Sequence, residues 1–483
     1  MSNPTEEKTL TRATVDFSTM DEETAKMHIL EARPKLSLAY PVALQHLLAM
    51  YASNLVPIML ITAVAEATLG QRIIMLQGAM IGAGIATLLN CYPIRLGKNW
   101  MIGANLPIVM GTSMTFVPPM TAVAITAVNM GHPNPIGVVV GGLMVAALIE
   151  IVFGGCYKYV KPFLPPVVLG AVLLSLGISL LTVGTNNFGG GSPATNPYFG
   201  SAQNMLIAGT VFLIYILLQR FGKGIWKLAS VLFAMAVGYG MSIAAGIVDF
   251  YPITQAAIFE VPRPLAIGPV FYPWAIGMFL AVYIVSALAT IGYTHTITSQ
   301  SMGRMATNKE TSGALFADGV GSIITLIFNG LPNTEFGQNS ALVAYTKVIS
   351  KWVVALTAFT LILASLFPPV AAVFATMPPA VIGGGILAVF AFIMTNAIVL
   401  IAKDGFPPKK ISQLCITFAI GLGFAPPGNA ALISSFPSWM QFIFSDRVLL
   451  MSVVAILVNL LFMSKEDFAK VKASAGKEQI EYV

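Results

Sequence analysis

The feature that constrains this chain most is a repeated alternation of long apolar runs with short polar breaks. A helix needs roughly 20 apolar residues to cross the hydrocarbon core of a bilayer. By length and by Gly, Pro and charge punctuation, the sequence divides into about fourteen such runs. They read as 39–64, 71–93, 102–130 (broken), 135–156, 162–184, 203–220, 226–248, 272–297, 312–329, 338–348 (short), 352–375, 379–402, 411–424 and 446–463. Composition agrees: of 483 residues, 56% are hydrophobic and only 10% charged, against about 25% charged in a soluble domain. So few charges cannot cover the surface of a soluble chain of this size. The expected fold class is therefore an all-α polytopic membrane protein, with the lipid bilayer as its solvent.

The net charge of +6 does not indicate nucleic acid, because the basic residues sit at segment ends rather than on one face. If the N-terminal tail (1–38) is cytoplasmic, the inner loops carry Arg95 and Lys98; Lys158 and Lys161; Arg220, Lys223 and Lys227; Arg304 and Lys309; Lys347 and Lys351; and Lys403, Lys409 and Lys410. The outer loops offer only Arg72, Arg263 and Arg447. This positive-inside pattern puts both tails, 1–38 and 464–483, in the cytoplasm and the chain in the plasma membrane. The N-terminus lacks an apolar core, so no cleaved signal peptide is expected. Cys91, Cys156 and Cys415 are far apart and read as buried thiols, and the four histidines are scattered, so no metal site is expected.

Two segments are not ordinary spans. NLPIVMGTSMTFVPP (Asn105–Pro119) and GLPNTEFGQNSALVAYT (Gly330–Thr346) share Leu-Pro, then a Gly, then small polar residues. Pro and Gly loosen helix, and backbone groups freed inside a bilayer need partners. One is the third segment and the other the tenth. An offset of seven, an odd number, makes two matching halves inverted in the membrane. That layout indicates an inverted-repeat transporter with discontinuous helices meeting near the midplane.

Five motifs in order then resemble one family. They are LQHLLAMYASNLVPIML (Leu44–Leu60), PIVMGTSMTFV (Pro107–Val117), ATIGYTHTIT (Ala289–Thr298), LFADGVGSII (Leu315–Ile324) and LPNTEFGQNSALVAYTK (Leu331–Lys347). Together they resemble the nucleobase–ascorbate transporters (nucleobase:cation symporter-2), xanthine/uracil permease type, over about residues 35–463. The resemblance implies two inverted repeats of seven segments. It implies a core domain (39–156 and 272–375), a gate domain (157–271 and 376–463), short extended stretches in segments 3 and 10, elevator-type motion and a homodimer. It places the substrate between those stretches and the eighth helix, with H+ or Na+ as coupling ion and no other cofactor.

A nucleobase is flat and displays hydrogen-bond donors and acceptors on its edge. Gln338 can donate and accept at once, which suits an oxopurine edge. Gly337, Ser113 and Met114 are expected to add backbone N–H groups. By resemblance the Gln338–Asn339 pair favours a purine, xanthine or urate, with Asn339 supporting the site. Asp318 is the carboxylate most clearly inside an apolar run and is a coupling or site-support candidate. Gln45 and His46 are candidate polar anchors in the first span. Glu150 lies near a segment end and reads as interfacial.

The chain departs from the family pattern at the eighth span, where Ala289 stands in place of the usual Glu, with Tyr293 one turn further on. Ala341 and Lys347 also differ from the family signature. Without a carboxylate beside the amides, an anionic oxopurine is expected to be tolerated. Alternatively, Tyr293, Thr290 or Glu335 replaces the lost partner, or specificity has shifted, for example to uracil. A sulfate- or bicarbonate-like anion transporter of the same fold is the other reading. No hydrolase or metalloprotease motif supports an enzyme.

Overall fold

The computed structural model describes residues 12–160 (except 19, 98 and 99), 184–191, 196–222, 230–255 and 257–402, with single positions in 171–181, 226 and 417–462. The expected spans 162–184, 411–424 and 446–463 fall largely outside the described residues.

The described elements are, in order, α1 (Glu22–Met27), α2 (Leu36–Val64), α3 (Leu69–Cys91), β1 (Ile94–Leu96), β2 (Trp100–Ile102), β3 (Met110–Thr112), α4 (Val117–Asn129), α5 (Pro135–Ala146), α6 (Leu148–Val160), α7 (Ala202–Phe221), α8 (Ser230–Ala244), α9 (Tyr251–Gln255), α10 (Pro273–Met302), α11 (Asn308–Ile327), β4 (Asn333–Glu335), α12 (Gly337–Thr346), α13 (Lys351–Ser365), α14 (Pro368–Ala375) and α15 (Pro379–Ala402). Among the described residues, five helical stretches are long and apolar enough to cross a membrane: Leu36–Val64, Leu69–Cys91, Pro135–Cys156, Ala202–Phe221 and Pro273–Met302.

The helix starts are written locally. Thr68 and Gln71 form a capping box at α3, and Thr307 and Glu310 form another at α11. Each satisfies backbone donors that the first helical turn leaves unpaired. Gly303, at φ 68°, ends α10 in the left-handed conformation, where glycine carries no steric penalty.

Helix α3 is the spine of the bundle, packed between α11 and α13. Gly78 and Gly82, one turn apart, let α11 approach. A Cβ on Gly78 would fall 2.1 Å from the Phe328 carbonyl oxygen, and one on Gly82 2.1 Å from Thr325 Oγ1. Close backbone approach through small residues is how helices associate where lipid removes the hydrophobic driving force.

The expected single span 352–375 is two helices bent by 84°. The cause is Pro368–Pro369, which supply no N–H and disfavour helix before them. The carbonyls this orphans are recaptured: Phe367 N–H donates to Ala364 at 3.2 Å, and the buried Gln77 side chain of α3 donates to Ser365 at 2.8 Å.

Residues 12–35 are not a free polar tail. Met27 carbonyl accepts from Ile349 and Ser350 N–H, Leu30 carbonyl accepts from Lys351 N–H, and Glu31 pairs with the buried Lys351 ammonium at 2.7 Å. The segment straps the junction of α12 and α13. Two further expectations are corrected by packing. Cys156 is exposed at the far end of α6, whereas Cys91 is buried. Glu150 is not interfacial; it is completely buried between α6, α10 and α11.

Gln77→Leu keeps the volume at this bend but removes the donor to Ser365. Thermal unfolding in detergent is expected to show a loss of about 1–3 kcal/mol, the cost of one unpaired buried carbonyl. An unchanged midpoint would mean the bend is held by the prolines alone.

Candidate functional site

The centre of the structure is a buried crossing of two short strands. β3 and β4 pair antiparallel, with Met110 opposite Glu335, Gly111 opposite Thr334 and Thr112 opposite Asn333. All six residues are buried. One backbone bond extends the ladder at each end: Ser113 N–H to Pro332 carbonyl at 2.8 Å, and Phe336 N–H to Val109 carbonyl at 3.0 Å. Pro107 and Pro332 interrupt helix in the two segments, and the freed backbone groups satisfy one another across the crossing.

Side chains from three helices clamp the ladder. Asn54 Oδ1 of α2 accepts from Thr112 N–H at 2.8 Å and from Thr112 Oγ1 at 3.1 Å. Thr87 Oγ1 of α3 accepts from Met110 N–H at 2.9 Å. On α11, Ser322 Oγ accepts from Asn333 N–H at 3.0 Å, and Thr325 Oγ1 accepts from Asn333 Nδ2 at 2.6 Å. The Phe336 ring rests on Gly111, where any Cβ would come within 1.8 Å of Cε2. Only glycine fits there.

Each strand leads into a helix. β3 passes through a 3-10 turn, Met114–Phe116, into α4, and β4 leads directly into α12. Because the strands are antiparallel, the two helices leave from opposite ends of the ladder with their N-termini toward it. At α12 the first N–H groups, of Gly337 and Gln338, have no intrahelical acceptor and carry partial positive charge. At α4 the Val117 N–H is taken by the Met114 carbonyl, and Pro118 and Pro119 have none to offer.

Gln338 is the second residue of α12 and is half-buried. Its Nε2 donates to Ser53 Oγ of α2 at 2.9 Å. Its amide oxygen takes no hydrogen bond among the described residues, and an amide nitrogen has a second hydrogen to give. Asn339 points the other way. Its Nδ2 donates to His46 carbonyl at 2.9 Å and lies 3.2 Å from His46 Nδ1. Both residues are buried, so Asn339 and His46 tie α12 to α2 behind Gln338. Gln45 is half-buried beside His46 and takes no part in these bonds.

Helix α10 supplies the opposite wall. The Tyr293 ring lies against Gly337, where a Cβ would fall 2.5 Å from Tyr293 Cε1. Ala289 packs against Tyr293 and Leu174. Thr290 Oγ1 donates to Asp318 Oδ2 of α11 and lies 3.2 Å from Thr334 Oγ1. Since the Thr290 proton is committed to Asp318, Thr334 is the donor in the second contact. Glu335 is buried with both oxygens occupied: Oε1 accepts from Ser340 Oγ at 2.8 Å and Oε2 from Thr294 Oγ1 at 2.9 Å.

Residues 38–432 match the family model of the xanthine/uracil permeases, described as a permease family. This chain belongs to that family. The chain is 29% identical to the xanthine permease XanP of Escherichia coli, over 93% of this chain and 99% of that protein. It is 29% identical to the uric acid permease PucJ of Bacillus subtilis, over 88% and 93%. The fold is similar to the transmembrane domain of the cyanobacterial bicarbonate transporter BicA, with a TM-score of 0.56 at 16% identity, covering 88% of this chain and 98% of that one. It is also similar to murine Slc26a9, an anion transporter, with a TM-score of 0.59 at 12% identity, covering 87% and 68%.

Two expectations about this permease change. Ser113 does not offer its backbone N–H, which is spent on Pro332. The register places Ser113 and Met114 at the opposite end of the ladder from Gly337 and Gln338, so they bracket it instead of sharing one end. A carboxyl group also does stand near the amides: Glu335 precedes Gln338 by three residues and bonds to the same helix that carries Ala289 and Tyr293. Sequence reading missed Ser53 and Asn54, although they lie seven and eight residues after His46, on its helix face. It also missed Tyr283, Ser286, Thr294 and Thr298, which with Thr290 form a buried polar stripe at helical spacing along α10.

The different roles of the neighbouring amides are separable. Asn339→Ala is expected to lower thermal stability by about 1–2 kcal/mol, because it unties α12 from α2. Ser53→Ala should leave the unfolding midpoint within about 0.5 kcal/mol, because Gln338 stays half-solvated. Equal destabilisation by both would mean Ser53 and Asn339 share one structural role.

Proposed function

We propose that this permease is a secondary active transporter of purine nucleobases, with xanthine or urate as substrate, driven by H+ or Na+ through elevator-type alternating access in the plasma membrane. The observation that carries the reading is the Gln338 amide. It is held at the start of a broken helix by Ser53, with its carbonyl oxygen and one N–H left to face a ligand. A hydrogen-bonding site of this kind rejects an edge pattern that leaves its own groups unpaired. Gly337 and Gln338 open α12, and the first N–H groups of a helix have no intrahelical acceptor. Tyr293 supplies a flat ring beside them.

The core domain is 39–156 with 272–375, and the gate domain is 157–271 with 376–463. Fourteen segments in two inverted sevens, both termini cytoplasmic, complete the reading, and the active form is a homodimer. The antiparallel β3–β4 crossing, each strand feeding a helix, supports the inverted repeat. Sequence similarity to permeases for xanthine and uric acid supports the substrate class. No catalytic step belongs to this reading. The coupling and supporting groups are Asp318, Glu335, Thr290 and the His46–Asn339 contact.

Uptake of radiolabelled xanthine, urate, uracil and adenine into proteoliposomes, with H+ and Na+ gradients imposed separately, tests this. Saturable xanthine or urate uptake driven by one gradient is expected, with KM raised about 10–100-fold in Gln338→Ala. No base uptake under either gradient, with bicarbonate or sulfate accumulating instead, would sink the purine reading. Ala289→Glu places a second carboxyl group beside the site. It should cost urate, an anion at neutral pH, about tenfold more than a neutral base, because like charges repel strongly away from water. Equal loss for both substrates would show that substrate charge is not read at this position.

A further inference from the structure

Beyond the strand crossing, the permease buries a pair of carboxyl groups, Asp318 of the supporting set and Glu150, to which the substrate reading gives no role. Glu150 projects from the third residue of α6 and Asp318 from the middle of α11, and both are fully buried. The two helices are in close contact here. A Cβ on Gly319, next to Asp318, would come 3.2 Å from Glu150 Cβ, and Ser312 Oγ donates to Gly154 carbonyl at 2.7 Å. The Glu150 carboxyl lies against Asp318 and against Ser286 of α10. The Tyr283 hydroxyl, one turn before Ser286, faces both acids.

Hydrogen bonding leaves this cluster incomplete. Asp318 Oδ2 is taken by Thr290. Asp318 Oδ1, both Glu150 oxygens, Ser286 Oγ and Tyr283 Oη are buried without a hydrogen bond of ordinary geometry. Among the described residues, neither acid forms an ion pair with a Lys, Arg or His. α5 contributes no titratable residue. On α3 the titratable residues are Arg72 and Cys91, at its two ends, and β2 has none. The titratable groups that face the cluster are Tyr283 of α10 and Glu335 of β4, and Tyr293 lies beyond, toward Glu335.

Two neighbouring carboxyl groups removed from water cannot both be ionised. The economical solution is one proton shared between them, as in carboxylate dyads. We propose that Glu150 and Asp318 form a two-carboxyl site that holds one exchangeable proton at the junction of α6, α10 and α11. The site takes up one proton and releases it unchanged, with no bond made or broken elsewhere. Asp318 connects it to the substrate region through Thr290 and Thr334, the residue before Glu335 on β4. Occupancy of the pair therefore bears on the strand from which Gln338 extends. Both acids are closed to solvent in this conformation, so exchange with either side of the membrane requires the packing around them to open. The part of this site in uptake rests on the transporter reading above.

The test has one arm that needs no transport. Infrared spectra of the purified protein at neutral pH are expected to show a protonated carboxyl band that is lost or shifted in Glu150→Gln and in Asp318→Asn and is unchanged in Glu310→Gln. Bands left unaltered by both Glu150→Gln and Asp318→Asn belong to another buried acid such as Glu335 and overturn the proposal. Absence of any such band in the unmodified protein overturns the proposal. In the second arm, a one-unit inward proton gradient should drive about tenfold xanthine accumulation for one proton per substrate. Glu150→Gln should abolish this accumulation while keeping xanthine counterflow, which needs no net proton movement. Accumulation retained in Glu150→Gln overturns the coupling role, as does accumulation driven only by sodium. Should Glu150→Gln fold poorly, Ser286→Ala, which keeps both acids, is expected to shift the pH profile of accumulation. An unmoved profile counts against the site. If no purine enters under any gradient, the transporter reading fails and the infrared arm still decides the proton site.

Discussion

A backbone group inside a bilayer has no water to fall back on, and the crossing of β3 and β4 is how this protein meets that constraint. Two segments give up helix at Pro107 and Pro332, and each is left with donors and acceptors that lipid cannot satisfy. They satisfy one another over three residue pairs and one flanking bond at each end. The remaining needs are met by Asn54, Thr87, Ser322 and Thr325, one or two from each of α2, α3 and α11. Removing any one of these side chains leaves a polar group stranded in an apolar interior. The polar residues of the core are thus committed first to holding an irregular backbone, and the groups left over define the site.

That order explains why adjacent, chemically similar residues have different roles. Gln338 and Asn339 are neighbours with the same functional group. On a helix they point about 100° apart, so one meets Ser53 at a half-open edge and the other is buried against His46. Ser113 carries a hydroxyl in a promising motif, yet its backbone donor is consumed by the ladder. Glu335 occupies both oxygens with hydroxyls from α10 and α12. It thereby joins three elements near the place where Ala289 removes a side chain from the wall.

The small residues serve the same end. Gly78 and Gly82 let α3 and α11 touch, Gly111 admits the Phe336 ring, Gly337 admits Tyr293, and Gly319 brings α6 against α11. Close packing is what turns scattered hydroxyls and amides into connected networks, because a hydrogen bond needs its partners within about 3 Å. The polar stripe of α10 is the thread: Tyr283, Ser286, Thr290 and Thr294 meet Glu150, Asp318, Thr334 and Glu335 from three different elements.

The sequence by itself determined the class and the anomalies. Apolar runs of bilayer length, with so few charges, leave no soluble alternative. Paired Leu-Pro and Gly signals mark where helix must fail, because proline and glycine act locally whatever surrounds them. Gln338, Asp318 and Tyr293 were legible for a related reason, since a polar residue is conspicuous against apolar neighbours. The tertiary structure alone decided the partners. Nothing local reveals that Pro368–Pro369 bends the eleventh segment through 84°, that residues 12–35 pin the start of α13, or that Ser53 and Asn54 reach the crossing. Glu150 shows the limit most clearly. Its position near a segment end suggested an interface, but whether a carboxyl is wet or buried depends on what packs over it. Here that is α11, about 170 residues away in the chain, and no property of the local sequence encodes its arrival.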